Sequence, residues 1–355
     1  MGADLQQMRG WLDALLDRQS LSTPDARDLL VGLTDADLSP AMTGALLAAI
    51  RAKGVTPEEL RGFALGMRAL ARRPGIEAGA DAVDIVGTGG DKSGSYNIST
   101  GASLLAAAAG LPVIKHGNRS VSSRAGSADV LEALGLKLPL DESQATACFD
   151  ATRFTFLFAP HYHPATKAIA PVRAALGIRT VFNILGPLSN PAEPLFHVIG
   201  AYNEPTARLM AQALAGLPIR RAFVVHGAGG WDEPTPIGSF LLLDVTPGQV
   251  HESRRSPADY GMQVCKEEAL RGGDAAYNAA ALIRVLRGED HGAHRDALVL
   301  SAALALEVAG RAATPRAAAQ LASAAIDDGR ASALLASLAA FSRALAAQLA
   351  QAVEQ

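Results

Sequence analysis

The stretch AVDIVGTGGDKSGSYNIST, residues 82–100, decides how the rest of the chain is read. A short apolar run leads straight into a turn with Gly87, Gly89 and Gly90, and Asn97-Ile98-Ser99-Thr100 then opens a segment of helical composition, TGASLLAAAAG. Strand, bare turn and helix together make half of a parallel α/β unit. The turn departs from both common nucleotide fingerprints. Lys92 stands where the last glycine of G-x-G-x-x-G would fall, and no glycine precedes Lys92-Ser93 as a Walker loop requires. Two readings of the turn remain. It is a phosphate-binding turn, in which unpaired amides at a helix start attract an anion and hydroxyls meet phosphate oxygens or magnesium, or it is a plain tight turn with capping residues.

Working outward, PVIK (112–115), FTFLF (154–158), HVIGAY (197–202) and RAFVVHG (221–227) repeat the pattern of short buried strands separated by helical stretches such as SADVLEALG. That alternation predicts an α/β fold with a mostly parallel sheet. SFLLLDVTPGQVHESRR, with Pro247-Gly248 between two runs, reads as a hairpin at its margin. From Ala275 onward the chain is Ala- and Leu-rich helix, read as tight helix packing. Upstream, Thr23-Pro24, Ser39-Pro40 and Thr56-Pro57 each place a hydroxyl before a proline and predict helix starts. Four helices over about 3–18, 24–34, 40–53 and 57–72 follow, making a small helical lobe at 1–73 ahead of an α/β lobe at 74–355. In the first helix Leu5, Met8, Leu12, Leu15 and Leu16 form an apolar stripe that so small a lobe is expected to leave uncovered, pointing to a second copy of the chain.

With 355 residues, 49% of them hydrophobic, the chain can bury a large core in two lobes. A net charge of −3, without a block of like charges, argues against a nucleic-acid face, so an anionic ligand must be held by local groups. The N-terminus lacks the pattern of a secretory signal, and ASLLAAAAGLPVI is too short and too interrupted to span a bilayer. Cys148 and Cys265 are far apart with no metal or redox spacing. The expectation is a cytoplasmic enzyme bound neither to nucleic acid nor to membrane.

Two further stretches carry chemistry. KHGNRSVSSRAGSADVLEALG, residues 115–135, places Lys115, His116, Asn118, Arg119 and several serines after a strand, a set suited to a phosphate ester or simply a polar, serine-capped loop. GAGGWDEPTP carries the adjacent acids Asp232 and Glu233, which are either solvated or magnesium ligands. His161-Tyr162-His163 lacks neighbouring ligands for a metal and reads as packing or ligand-lining.

Taken together, DIVGTGGD with NIST, KHGNRSVSSRAGSADVLEALG, HPATKAIAPVRAALGIRTVFNILGPLSNP, VVHG with WDE, and GGDAAYNAA resemble the anthranilate phosphoribosyltransferase family across nearly the whole chain. The resemblance implies a helical lobe, an α/β lobe of nucleoside phosphorylase type, and a homodimer formed through the helical lobes with a contribution from about 164–185. It implies transfer of the phosphoribosyl group of phosphoribosyl pyrophosphate (PRPP) to anthranilate in tryptophan biosynthesis, with two Mg2+ ions, one of them accompanying the donor pyrophosphate. By resemblance, Gly87, Gly90, Asp91, Ser95, Asn97, Ile98, Ser99 and Thr100 bind the donor, as do Lys115, His116, Gly117, Asn118, Arg119, Ser120, Val121, Ser122, Ser123 and Ser127. Ser99, Asp232 and Glu233 are the implied metal ligands. Gly87, Asn118 and Arg173 are the implied anthranilate contacts, and Lys115, Asp232 and Glu233 the catalytic set.

Lys92, Ser95-Tyr96, Thr166 and Ser301 depart from the family pattern. Thr166 is seven residues before Arg173, which on one continuous helix would put both on a similar face near the acceptor entrance. The competing readings are a phosphoribosyltransferase with another aromatic acceptor, a nucleoside phosphorylase, which would need a base-recognition set, and a non-catalytic paralogue, which would be expected to lose the acids or Lys115.

Overall fold

The computed structural model describes residues 4–77, 80–91, 93–120 and 124–354; Lys92, Val121, Ser122 and Ser123 lie outside the described residues. Four helices come first: α1 (Leu5–Leu16), α2 (Thr23–Leu33), α3 (Pro40–Lys53) and α4 (Pro57–Ala69). The Ser39 side chain caps Met42 N and the Thr56 side chain caps Glu59 N, each followed by a proline at the first helical position, as the sequence predicts. The cap of α2 is Ser22 rather than Thr23, because Ser22 Oγ accepts from Asp25 N while the Thr23 hydroxyl donates to Glu58 O of the neighbouring helix start.

The apolar stripe of α1 is not left open as the sequence led us to expect. Met8, Trp11 and Leu15 are buried and Leu12 packs against the same core, leaving Leu5 and Leu16 exposed. The cover comes from within the chain, since α1 lies against α3 and α2. The helical lobe also shares its core with Val181, Phe182 and one sheet face, so more apolar surface was available to it than four isolated helices provide.

Seven strands form one sheet: β1 (Val83–Gly87), β2 (Val113–Gly117), β3 (Phe154–Phe158), β4 (Phe196–Gly200), β5 (Arg221–His226), β6 (Phe240–Thr246) and β7 (Gln249–Arg255). Their order is β3-β2-β1-β4-β5-β6-β7, parallel through β5 and antiparallel in the β6–β7 hairpin at the edge. β1 is therefore the middle of the five parallel strands. The chain moves one way from it through β2 and β3, and the other way through β4 and β5, so the β1–β4 boundary is a topological switch point.

The remaining helices are α5 (Ile98–Ala108), α6 (Ser127–Ala133), α7 (Glu142–Thr152), α8 (Ala159–Tyr162), α9 (Ala170–Leu176), α10 (Phe182–Leu185), α11 (Glu204–Leu214), α12 (Ala275–Leu286), α13 (Ala293–Val308), α14 (Pro315–Asp327) and α15 (Arg330–Glu354). One core packs α5 and α12–α15 on one face of the sheet, and a second joins α11 and the helical lobe to the other. Within α15, Arg330–Gln351 is long and apolar enough by length and composition to cross a membrane, which the shorter run ASLLAAAAGLPVI is not. Its apolar character is spread over alanines, and Leu334, Leu338 and Leu345 are buried where it lies on α5, α7 and α14.

Candidate active site

At the switch point β1 and β4 end in paired glycines, Gly87 opposite Gly200. The loop that follows β5 crosses directly over them. A Cβ on Gly200 would lie 1.5 Å from the Asp232 carbonyl oxygen, and one on Gly87 would lie 2.4 Å from Asp232 Oδ2. Only a residue without a side chain allows this approach. Gly200 was not among the sequence candidates, although a glycine closing a buried strand is a readable sign that another backbone passes close by.

This crossing delivers the two adjacent acids to the glycine-rich turn and to the start of α5. Asp232 Oδ2 accepts from Gly89 N at 2.5 Å, and Asp232 N donates to Asp91 Oδ2 at 3.2 Å. Glu233 Oε1 accepts from Ser99 N, an unpaired first-turn amide of α5, at 2.9 Å. Glu233 Oε2 is buried with no hydrogen-bond partner. Burial pushes the Glu233 carboxyl up to about 7, opposed by the Ser99 N–H. Burial also raises Asp232, helped by the charges of Asp91 and Glu233. An orphaned carboxylate oxygen beside two like charges calls for a proton or a cation. Among the described residues no three His, Cys, Asp or Glu side chains form a complete metal cage. The donor set fits magnesium, which commonly uses one or two carboxylates and takes its other ligands from water and substrate phosphates.

Lys115, buried on β2, approaches from beneath, with Nζ 2.5 Å from Ile85 O and 3.5 Å from Ser99 Oγ. Burial lowers its pKa to about 8, while Asp84 and Glu233 hold it up. Asp84 is itself anchored, accepting from His116 N at 3.2 Å and from Asn190 Nδ2 at 2.9 Å, and burial raises its carboxyl to about 6. His116 and His163 stack edge to face at 5.0 Å, and burial lowers them to about 3 and 4. Both rings are neutral near pH 7. Asp84 and Asn190 were not singled out in the sequence, because the hydrogen bond that joins them spans 106 residues.

The second loop is tied down from several sides. Asn118 O accepts from Ser127 Oγ at 3.1 Å, and Ser120 N and Gly126 N both donate to Asp129 Oδ2. Gly117 ends β2. The Arg119 guanidinium is occupied by Asp129 and Glu132 of α6. Asn97, in the left-handed region at φ 64°, donates to Ala125 O and accepts from Asn278 Nδ2, which joins the GGDAAYNAA segment to the turn. Ser95 bridges to Arg271, while Ile98 and Thr100 are buried in the first turn of α5. The hydroxyl of Tyr96 is satisfied by His294 O.

Arg173 is on α9, half-buried, with its guanidinium carbon 5.2 Å from the centre of the Phe182 ring, and no hydrogen bond or ion pair ties its side chain to the acids or the turn among the described residues. Burial without a facing carboxylate lowers its pKa. The expectation that Thr166 and Arg173 share one helix is wrong. Thr166 sits in a separate 3-10 turn, Pro164–Lys167, and its hydroxyl donates to His163 O at 2.7 Å. Pro171 has no N–H to continue the ladder, so the helix restarts at Ala170.

Two family models match the chain: Glycosyl transferase family, helical bundle domain over residues 9–71, and Glycosyl transferase family, a/b domain over residues 79–332. The chain is 43% identical over 345 residues to the anthranilate phosphoribosyltransferase of Azorhizobium caulinodans, covering 97% of this chain and 99% of the relative. It is 48% identical over 304 residues to that of Synechocystis sp., covering 84% and 86%. The crystal structure of anthranilate phosphoribosyltransferase from Thermus thermophilus superposes with a TM-score of 0.88 at 39% identity, over 94% of this chain and 99% of that one. The Saccharomyces cerevisiae enzyme in complex with PRPP and Mg shares the fold at 24% identity, with a TM-score of 0.86 over 96% and 99% of the two chains. The ordered motifs, the switch-point site and these matches lead to one conclusion: the chain belongs to the anthranilate phosphoribosyltransferase family.

Proposed function

We propose that this protein transfers the phosphoribosyl group of PRPP to the amine of anthranilate, giving N-(5-phosphoribosyl)anthranilate and pyrophosphate, in tryptophan biosynthesis. The observation that carries the reading is the buried Asp232-Glu233 pair laid across the glycine-terminated strands, beside Lys115 and the N-terminus of α5. In the reaction the C1–O bond to pyrophosphate breaks, the bond from C1 to the anthranilate nitrogen forms, and the nitrogen releases a proton to solvent. Negative charge develops on the departing pyrophosphate, and the Lys115 ammonium and the positive N-terminal end of α5 supply the potential that neutralises it. Asp232, Glu233 and Ser99 would hold magnesium, which when bound would add further neutralisation of that charge. The aromatic amine is uncharged near pH 7, so positioning does most of the work and no strong base is needed. Arg173 holds the anthranilate carboxylate, alongside Gly87 and Asn118.

The test is direct. Purified protein with PRPP, magnesium and anthranilate should consume anthranilate fluorescence and release pyrophosphate in equal amounts. An inert anthranilate alongside ribosylation of another amine or a nucleobase would overturn the acceptor assignment. Replacing Arg173 with alanine should raise the anthranilate KM about thirty- to over a hundredfold with donor KM nearly unchanged, the loss of a charge-assisted pair worth about 2–3 kcal/mol. An equal rise in both constants would remove Arg173 from acceptor recognition.

Metal binding should depend on pH, because the carboxylates must be ionised to ligate. With Glu233 raised to about 7 and Asp232 raised as well, the gain in Tm on adding magnesium should be larger at pH 8 than at pH 6. Thermal melts at both pH values check it; equal gains would place the cation elsewhere. The same reading includes two magnesium ions, one of them with the donor pyrophosphate, a cytoplasmic location, and a homodimer formed through the helical lobes. Leu5 and Leu16 are the large apolar residues of α1 left exposed for such a contact, and sedimentation at micromolar concentration tests it.

A further inference from the structure

Arg179 stands in the short segment between α9 and α10, and none of the functional assignments above uses it. Next to it, Thr180 N donates to Asn183 Oδ1 at 2.9 Å and Val181 is buried in the core shared with the helical lobe. The Arg179 side chain leaves this anchor, stacks with its guanidinium carbon 4.2 Å from the centre of the Tyr202 ring, and donates from Nη2 to the carbonyl oxygen of Gly90. No acidic side chain pairs with it among the described residues. Tyr202 is rooted in the same turn, since its N–H donates to Thr88 Oγ1 at 3.2 Å and Thr88 N donates to Gly200 O at 2.9 Å. The position opposite Arg179 favours glycine: φ of Gly90 is 75°, and a Cβ there would lie 2.8 Å from Nη2 and displace it.

In a trans peptide the carbonyl of one residue and the N–H of the next point in opposite directions. Fixing the Gly90 carbonyl on Arg179 therefore turns the Asp91 N–H away from Arg179, and that N–H has no acceptor among the described residues. Turning this peptide changes ψ of Gly90 and φ of Asp91, and Gly90, at φ 75° and without a side chain, puts little restraint of its own on ψ. We infer that Arg179, stacked on Tyr202, is a positioning residue that locks the Gly90–Asp91 peptide with its N–H free to bind the donor pyrophosphate. The inference rests on the proposed function and adds to it a residue outside the donor loops.

The experiment measures magnesium pyrophosphate and PRPP binding by calorimetry, and both KM values and kcat, for wild type, Arg179→Ala, Tyr202→Ala and Tyr202→Phe. Arg179→Ala should weaken both donor-side ligands about tenfold while anthranilate KM stays within about twofold, as expected for loss of a charge-assisted hydrogen bond that preorganises the turn. Tyr202→Ala should follow it in the same direction, and Tyr202→Phe, which keeps the ring, should behave as wild type. Unchanged donor affinity in Arg179→Ala, or an equal rise in both KM values, overturns the inference. Wild-type protein that binds neither pyrophosphate nor PRPP overturns the functional reading as well.

Discussion

Replacing Asp232 with asparagine and Glu233 with glutamine together should lower kcat by about a hundredfold or more, at least about 2.7 kcal/mol of lost charge stabilisation. The amides keep the shape of the carboxylates and still offer oxygens to Gly89 N and Ser99 N, so the loop should stay over the strand ends while its charge disappears. Stability then separates this outcome from misfolding. Both carboxyls have folded-state pKa values raised above the ordinary carboxylate range, so their ionisation costs stability as pH rises, through about 7 for Glu233. Without magnesium the double variant should therefore be more stable than wild type at pH 8, an advantage that shrinks as pH falls toward the ordinary carboxylate range. Near-normal kcat at saturating magnesium would take the pair out of the mechanism.

Gly200→Ala should be equally damaging although residue 200 touches no substrate in the proposed reaction. The added carbon would lie 1.5 Å from the Asp232 carbonyl oxygen, less than half the distance that ordinary contact permits, and the obstacle is backbone rather than a flexible side-chain end. The acidic loop has to rise from the sheet by more than 1 Å. Misplacement on that scale costs about a hundredfold in rate, and the overpacking about 1–3 kcal/mol in stability. Gly10→Ala, at a helical glycine with nothing within 4 Å, is the neutral control. Wild-type kcat in Gly200→Ala would mean that the loop can lift without harm, and that its seat on β4 is not what positions Asp232.

Much of the architecture was legible because its causes are local. The Ser-Pro and Thr-Pro pairs mark helix starts through hydrogen bonds spanning three residues, and the turn of Pro247-Gly248 joins two adjacent strands of a hairpin. The motifs around Gly87, Lys115 and Asp232 were legible too, since each follows a short apolar strand. Illegible were Asp84 and Asn190, whose hydrogen bond spans 106 residues, and Arg179, whose acceptor is 89 residues away. The error over the α1 stripe has a related origin. Periodicity shows which face of a helix is apolar, but not which distant segment covers it.

The sequence by itself determined the alternation of strands and helices, the glycine-rich turn and the residue types available for chemistry, since these depend on backbone preference and on neighbours a few positions apart. Only the tertiary structure decided that β4 lies beside β1. That placement sets Gly87 opposite Gly200, makes room for Asp232 above them, and brings Glu233 within 2.9 Å of Ser99 N, 134 residues earlier in the chain. The physical reason is that strand order follows from burying both faces of the sheet at once, a property of the whole packed chain rather than of any one segment.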